Sequence, residues 1–113
     1  MHEVSLLENV REILQAHAIS QNFTKVSKVT LEIGALSCVE PDALRFAFSA
    51  VMKDSLAENA ELILTIQQGQ GLCEQCKQSV LIEHLYDPCI LCGHPFVSVT
   101  AGNSMQIKDL VVI

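Results

Sequence analysis

Aromatic and basic residues are scarce in this chain. It has no tryptophan, one tyrosine and four phenylalanines, so few side chains could stack on nucleobases. Lysine and arginine together number 7 against 13 aspartates and glutamates, which gives a formal net charge of −6. A phosphate backbone would be repelled by that charge. The composition therefore argues against nucleic acid as a partner.

Long hydrophobic runs are missing as well. The longest apolar stretches, such as Leu62–Leu64 and Leu110–Ile113, are far shorter than the about 20 residues of a membrane helix. Residues 1–5 lack the basic start and the apolar segment of a secretory signal. We therefore expect a soluble, cytoplasmic protein without a membrane partner. In that compartment, five cysteines favour metal binding over disulfides.

Two segments have the periodicity of amphipathic helices. The first runs from Val4 to about Ala18. The second is predicted from Pro41 to about Leu56, because proline suits a first helical turn and the adjacent acidic residues complement the helix dipole. The apolar residues of the first stripe are Val4, Leu7, Val10, Ile13 and Leu14, and those of the second are Leu44, Ala47, Phe48, Val51 and Met52.

Three further segments predict strands. Apolar and polar residues alternate from Val29 to Ile33, where Gly34 ends the pattern, and they alternate again from Leu62 to Ile66. Residues 105–113 form the third strand, and the continuous apolar run Leu110–Ile113 predicts burial on both faces or a bulge. The predicted fold class is α+β, with a three-stranded sheet covered by two helices. An exposed edge of such a small sheet would permit a homodimer.

The composition changes near Gly69. The next thirty residues hold four cysteines and two of the three prolines, without a long periodic pattern, as is typical of a metal-organised module. We predict a zinc-binding domain over residues 70–102, resembling a zinc ribbon. It is inserted into an α/β domain made of residues 1–69 plus 103–113.

The four cysteines form two C-x-x-C turns, here called knuckles, with twelve residues between them. They are Cys73, Cys76, Cys89 and Cys92. Two knuckles can place four thiolates tetrahedrally around one Zn(2+), and such a closed site is structural because it leaves no position for a reactive water. A redox pair of C-x-x-C motifs and a rubredoxin-type iron centre are the alternatives. The fifth cysteine, Cys38, is expected to be an inert core residue.

The N-terminus offers a second set of metal ligands. The His2 imidazole, two backbone nitrogens and the α-amine of Met1 can approach one ion, and four nitrogens in a plane suit Ni(II) or Cu(II). Met1 is expected to remain, because histidine is a large second residue. On composition alone, an ordinary exposed terminal residue is the favoured interpretation of His2, because lone histidines are common.

Four sequence features together resemble one family. They are the opening Met1–Leu6, the block Leu31–Glu40, the Phe46–Phe48 triplet and the two knuckles. The combination resembles the HypA/HybF hydrogenase nickel-incorporation proteins over essentially the whole chain. That resemblance implies a nickel metallochaperone, which carries Ni(2+) and works with a HypB-type GTPase. Its cargo would go to the large subunit of [NiFe] hydrogenase during protein maturation.

The resemblance also implies the nickel ligands. These are Met1 through its amine, His2 through its imidazole and backbone nitrogen, and Glu3 through its backbone nitrogen or its carboxylate. The α/β domain would then be the nickel-binding domain. Two further histidines, His84 and His94, are candidates to link the two metals, although an ordinary surface histidine is the favoured interpretation of each.

Two other functions compete with this one. The first is a zinc-ribbon adaptor for protein interactions, without a second metal; the cysteine module holds only one basic residue, Lys77, which argues against nucleic acid but not against proteins. The second is an enzyme, which we do not expect, because the sequence shows no activated nucleophile and no open zinc position.

For a chaperone, nickel affinity is expected to fall as histidines protonate, which predicts release in acid.

Overall fold

A computed structural model describes residues 2–113. This part of the chain forms two helices and six strands. Their order is α1 (His2–Gln21), β1 (Val26–Gly34), α2 (Pro41–Met52), β2 (Glu61–Gln67), β3 (Gly69–Cys73), β4 (Ser79–Ile82), β5 (Val97–Ala101) and β6 (Met105–Val112). The predicted α+β class is confirmed.

The chain divides into two compact units. The first comprises residues 2–31, Val39–Thr65 and Ile107–Ile113, and the second comprises Glu32–Cys38 and Ile66–Gln106. Both helices belong to the first unit, and all four cysteines of the predicted zinc site belong to the second. The predicted functional domains, 1–69 plus 103–113 and 70–102, stay a prediction.

Helix α1 buries the stripe that its periodicity predicts. Leu7, Val10 and Leu14 are almost fully buried, whereas Ile13 at the margin of the stripe is 38% exposed. The helix contacts α2, and Arg11 donates a hydrogen bond from its guanidinium to the carbonyl of Val51 at 2.9 Å. Apolar burial and this polar contact together hold the two helices.

Helix α2 begins as predicted but ends earlier. Glu40 is its N-cap, and the Glu40 carboxylate accepts a hydrogen bond from the backbone N–H of Asp42 at 3.3 Å. The helix stops at Met52 rather than near Leu56, because Lys53 leaves the helical region with a ψ of 135°. Asp54 then adopts a φ of 63°, in the left-handed region.

The first sheet has the order β2-β1-β6. Its central strand β1 is the most buried, with Val26, Val29, Leu31 and Ile33 in the core. Edge strand β6 differs from the prediction. Val111, Val112 and Ile113 are 45%, 44% and 73% exposed, so the expected burial on both faces is wrong. An edge strand has only one neighbour, and here the apolar run faces solvent.

A second three-stranded sheet, with the order β4-β3-β5, organises the cysteine-containing unit. Strand β3 pairs antiparallel with both neighbours, and its register shifts between Gln70 and Gly71 on the β5 side. The buried cluster of this unit includes two of the cysteines. Its members are Leu36, Cys73, Val80, Ile82 and Cys89.

Backbone segments approach each other closely in the same unit. A Cβ on Gly34 would collide with the backbone carbonyl of Gly102, and a Cβ on Gly102 would lie 2.6 Å from the carbonyl oxygen of Gln68. Gly102 also has a φ of +85°, which glycine adopts without steric cost. Both positions therefore require glycine.

Neither α1 nor α2, the two helices of residues 2–113, combines the length and the apolar character that crossing a bilayer requires.

Candidate metal sites

The four cysteines of the two knuckles converge on one point. The Sγ atoms of Cys73, Cys76, Cys89 and Cys92 all lie within 4.8 Å of one another. Cys73 and Cys89 are buried, Cys76 is half-buried and Cys92 is exposed. The structure therefore forms the four-cysteine metal site that the spacing predicts, with one side close to solvent.

Identical backbone hydrogen bonds shape both knuckles. In the first, the N–H of Lys77 donates to the carbonyl of Cys73 at 3.0 Å, and the N–H of Cys73 donates to the carbonyl of Gln78 at 3.0 Å. In the second, the same two bonds join Gly93 to Cys89 at 2.8 Å and Cys89 to His94 at 2.9 Å. Each knuckle is thus a tight, repeated turn, and both knuckles share the same two backbone hydrogen bonds.

The sulfur separations fit a tetrahedral ion. A tetrahedral site with Zn–S bonds of about 2.3 Å places its sulfurs about 3.8 Å apart. Across the two knuckles, Cys73 Sγ lies 3.5 Å from Cys92 Sγ, and Cys76 Sγ lies 3.8 Å from Cys89 Sγ. A disulfide would bring two sulfurs to about 2.05 Å, and all five cysteines are free. The donor set therefore fits a closed tetrathiolate site.

The protein separates the acidities of the four thiols. The backbone N–H of Cys76, which points at Cys73 Sγ at 3.5 Å, contributes most to lowering the pKa of Cys73 to about 6. The pKa of Cys89 is also lowered, chiefly by the backbone N–H of Cys92. At Cys92 the N–H of His94 acts in the same direction, but desolvation and the neighbouring sulfurs outweigh it and raise the pKa to about 12. The pKa of Cys76 is raised as well. Sulfurs held this close oppose one another's ionisation, which is the repulsion that a bound divalent cation relieves.

The position of the knuckles argues against the redox alternative. A thioredoxin-type C-x-x-C motif opens a helix, where the helix N-terminus stabilises a thiolate. Here Cys73 ends strand β3, and Cys89 lies in a loop between β4 and β5. Within residues 2–113, the two helices lie elsewhere in the sequence, at His2–Gln21 and Pro41–Met52.

At the other candidate site, α1 begins with His2 and Glu3. The His2 side chain is 62% exposed, and its Nδ1 lies 3.9 Å from the Glu3 carboxylate. That carboxylate also accepts a hydrogen bond from the backbone N–H of Glu40 at 3.4 Å. Hydrogen bonds from the backbone N–H groups of Glu3 and Glu40 lower the pKa of Glu3. The third predicted nickel ligand, Met1, lies outside the described residues.

Sequence reasoning did not foresee the contact between Glu3 and Glu40. Because the acceptor is a side chain and the donor is a backbone group 37 residues away, no residue pattern indicates the pair. The knuckle acceptors Gln78 and His94 were also missed, although each stands five residues after the first cysteine of its knuckle, and that spacing is a usable signal.

The remaining candidate residues lie in different surroundings. Cys38 is exposed and has a φ of 60°, so the prediction of a core cysteine is wrong: a left-handed turn turns the residue outward. His94 is half-buried, and its ring meets Phe96 edge-on with centroids 5.6 Å apart. His84 is 80% exposed, with its Nδ1 3.8 Å from a carboxylate oxygen of Asp87.

Comparisons with known proteins agree on one family. A family model described as hydrogenase/urease nickel incorporation, metallochaperone, hypA matches residues 1–112. The chain is 42% identical over 112 residues to hydrogenase maturation factor HypA of Psychromonas ingrahamii, covering 99% of this chain and 98% of that protein. It is 46% identical to the factor of the same name from Rhodopseudomonas palustris, covering 99% of each. The fold is similar to the solution structure of the Ni metallochaperone HypA from Helicobacter pylori, with a TM-score of 0.77 at 24% identity, covering 98% of this chain and 97% of that one.

Proposed function

Because the chain belongs to the HypA family of nickel-incorporation metallochaperones for hydrogenase maturation, we propose that it binds Ni(II) at its N-terminus and delivers it for insertion into [NiFe] hydrogenase. The single observation that supports this most is the exposed His2 imidazole at the start of α1. Imidazole is a preferred ligand of nickel, and a chain end leaves one side of the cargo open to a recipient.

The proposed nickel ligands are the Met1 amine, the His2 imidazole, the His2 backbone nitrogen and the Glu3 backbone nitrogen. Four nitrogens in a plane suit Ni(II). The Glu3 carboxylate already accepts a hydrogen bond from Glu40, so we give it a positioning role: it holds the start of α1 to the N-cap of α2. Each backbone amide must lose its proton to bind nickel through nitrogen. The first four N–H groups of a helix have no intrahelical carbonyl partner, so this deprotonation removes no hydrogen bond of the helix ladder.

The four-cysteine site is proposed to hold a resident structural Zn(2+). Cys73, Cys76, Cys89 and Cys92 would bind it as thiolates, and the ion would tie the loop between β4 and β5 to the end of β3. A cysteine set of this kind contributes folding energy and leaves no open coordination position. Both this closed site and the carrier role of the family support a function without catalysis.

Two protein partners follow from the family's role in maturation. We propose a HypB-type GTPase and the large subunit of [NiFe] hydrogenase, met in the cytoplasm. The second knuckle and the segment that follows it offer a surface for such contacts, because Ile90, Leu91 and Phe96 are 72%, 64% and 65% exposed. Exposed apolar side chains of this size are typical of protein-interaction surfaces. The same observation would also support the adaptor function, in which no second metal binds.

Nickel titration of zinc-loaded protein, followed by calorimetry, distinguishes the two functions. His2→Ala is expected to weaken nickel binding at least about tenfold, because losing even a residue that only orients a metal ligand costs about 10–100-fold in affinity. His17→Ala is the matched control, since His17 is an exposed histidine on the same helix. Equal nickel affinity in wild type and His2→Ala would contradict the N-terminal site, and nickel binding by neither would leave the adaptor as the better function.

Delivery is tested in cells that lack their own nickel-incorporation factor. The wild-type chain is expected to restore hydrogenase activity, whereas His2→Ala is expected to restore it only when the medium contains excess nickel. Restoration by His2→Ala without added nickel would contradict a carrier role for this residue.

Acid is proposed to trigger release. A histidine ligand must be neutral to bind, so nickel affinity is expected to fall as the pH drops from about 7.5 to about 5.5, across the range where histidines protonate. Affinity that stays constant over this range would contradict the mechanism.

A further inference from the structure

The second sheet buries only one of its two faces. Cys73, Val80 and Ile82 belong to the buried cluster of the unit, and Val97 and Val99 pack against that cluster. The residues between them are exposed, so burial alternates strictly along β3 and β4. An antiparallel sheet with one solvated face normally places polar residues there. Large apolar residues on the exposed face are therefore informative.

The three strands bring three large apolar side chains to this exposed face. Leu72 of β3 and Leu81 of β4 occupy exposed positions of the alternation and are 40% and 51% exposed. Phe96 lies directly before β5, next to the inward-packing Val97, and is 65% exposed. These values include the shielding by the described residues 2–113, so this part of the chain leaves the three side chains accessible.

Strand register places the three side chains in one diagonal line. Leu81 lies opposite Gln70, and Leu72 stands two residues further along β3. Glu74 stands two residues further again, and its backbone N–H donates to the carbonyl of Phe96 at 3.4 Å. Diagonal neighbours on a sheet are about 7–8 Å apart, within reach of long side chains. Leu81, Leu72 and Phe96 therefore form a continuous line across the sheet, here called the apolar diagonal.

The length and the borders of the apolar diagonal suit a helix. Its ends are two strand spacings of about 4.8 Å apart across the sheet and four residues of about 3.4 Å apart along it, which gives about 17 Å. About 11 residues of α-helix span that distance, and an amphipathic helix has one apolar stripe of this kind. Ser79 and Ser98 lie opposite Leu72 on the two neighbouring strands. A second sheet packed on this face would bury those hydroxyls, whereas a single helix leaves them at its solvated sides.

A carboxylate lies near each end of the apolar diagonal. At one end, the Glu74 carboxylate accepts a hydrogen bond from the Ser98 hydroxyl at 3.1 Å. At the other end, Glu83 follows Leu81 by two residues, and both line the same pocket. Residues 70–102 contain one lysine and no arginine. A second copy of this face would therefore set acidic groups against acidic groups, whereas a partner with basic residues would be complementary.

We propose that the apolar diagonal is a docking site for an amphipathic helix, about three turns long, with lysine or arginine at both ends of its apolar stripe. One of the two protein partners proposed above carries this helix, so the inference rests on the proposed function. Three strands and three helical turns make a small contact, which is typical of a transient encounter. A carrier that must leave its recipient requires such an encounter.

Binding of the zinc-loaded, nickel-free chain to a purified HypB-type GTPase and to a purified large-subunit precursor tests the proposal by biolayer interferometry. The wild type is expected to bind at least one of them. Leu72→Ser and Leu81→Ser are each expected to weaken that binding at least about tenfold, the scale of a residue central to an interface. Glu74→Lys is expected to weaken it as well, because two cations then face each other. Hydrogen exchange of the bound partner is expected to protect one helix with the stated apolar and basic residues.

Ile19→Ser is the matched control, since Ile19 is an exposed apolar residue of the first unit, and it is expected to leave binding unchanged. Native mass spectrometry showing one zinc, together with far-ultraviolet circular dichroism, confirms that each variant is folded. Nickel titration of Leu81→Ser is expected to match wild type, so failure of the nickel site and failure of the docking site give different results.

Four results would overturn the docking site. They are wild-type binding to neither protein, unchanged binding in both leucine variants, protection of a strand or loop of the partner in place of a helix, and self-association of the chain that Leu81→Ser abolishes. The last result would show that a second copy covers this face.

Discussion

Single residues distinguish the two knuckles, although their hydrogen bonds are the same. Lys77 and Gly93 occupy equivalent positions, each donating its N–H to the first cysteine carbonyl of its knuckle. Their φ values are 60° and 77°. Glycine adopts this conformation without cost, whereas a residue with a Cβ loses about 1–2 kcal/mol there. The first knuckle is therefore strained at one position, and the second is not.

Lys77→Gly is expected to raise the stability of the zinc-loaded protein by about 0.5–1 kcal/mol, because relief of the left-handed strain exceeds the entropy that glycine adds to the unfolded chain. Thermal unfolding measures the change. Lys53→Gly is the matched control: Lys53 has an ordinary φ of −57°, so only the entropic loss remains and stability is expected to fall. A lower melting temperature for Lys77→Gly would contradict the assignment of strain.

Proton release on zinc binding tests the acidities of the cysteines. With a pKa of about 6, Cys73 is already largely thiolate at pH 7.5, whereas Cys92, with a pKa of about 12, must lose a proton to bind. Zinc affinity is therefore expected to rise with pH above about 6. Fewer than four protons are expected to be released per zinc at pH 7.5, as measured by calorimetry in buffers of different ionisation enthalpy. Release of four would show that the zinc-free knuckles do not hold Cys73 in this environment.

Elements with a clear period could be predicted from the sequence, and elements without one could not. The stripe of α1 and the alternation in β1 mark their buried faces, because burial selects the residue type at every repeat. Strands β3, β4 and β5 are short, and β3 contains Gly69 and Gly71 at its buried positions, where close approach of the backbone excludes the side chains that would reveal a period. For the C-terminal apolar run, the residue type predicted burial where there is none. Val111 and Val112 are apolar, but they lie on an edge strand and face solvent.

The candidate sites divide in the same way. The four cysteines could be predicted because metal geometry constrains their spacing in the sequence. The pairing of Glu3 with the backbone of Glu40 could not, because it arises from tertiary packing between residues distant along the chain.

The packing of α2 is tested by truncating one buried and one exposed side chain of this helix. Leu44 is completely buried, and Leu44→Ala is expected to lower the free energy of unfolding by about 2–5 kcal/mol, through lost burial and the cavity that it leaves. Phe46, on the same helix, is 89% exposed. Phe46→Ala is therefore expected to change stability by less than about 0.5 kcal/mol in chemical denaturation. A large loss for Phe46→Ala would mean that its ring is covered in solution.

For the whole molecule, the two units differ in what holds them together. The first has a core of long apolar side chains from both helices and β1. The core of the second is small and includes Cys73 and Cys89 themselves. Small domains with little core depend on a metal for stability, so removing the ion affects the second unit first.

Zinc removal is expected to expose the amides of β3, β4 and β5 to hydrogen exchange while those of α1 and α2 stay protected. Exchange is measured by mass spectrometry with and without a strong chelator. Equal loss of protection in both helices would contradict the view that the first unit has a core of its own.

Metal stoichiometry is the measurement that tests the central claim most directly. Native mass spectrometry of the untagged protein, given zinc and nickel, is compared with a version carrying two extra residues before Met1. We predict one zinc in both proteins and nickel in the untagged protein only, because the extension removes the terminal amine from the proposed site. Equal nickel binding by both proteins would contradict the N-terminal site, and nickel binding by neither would contradict the carrier function.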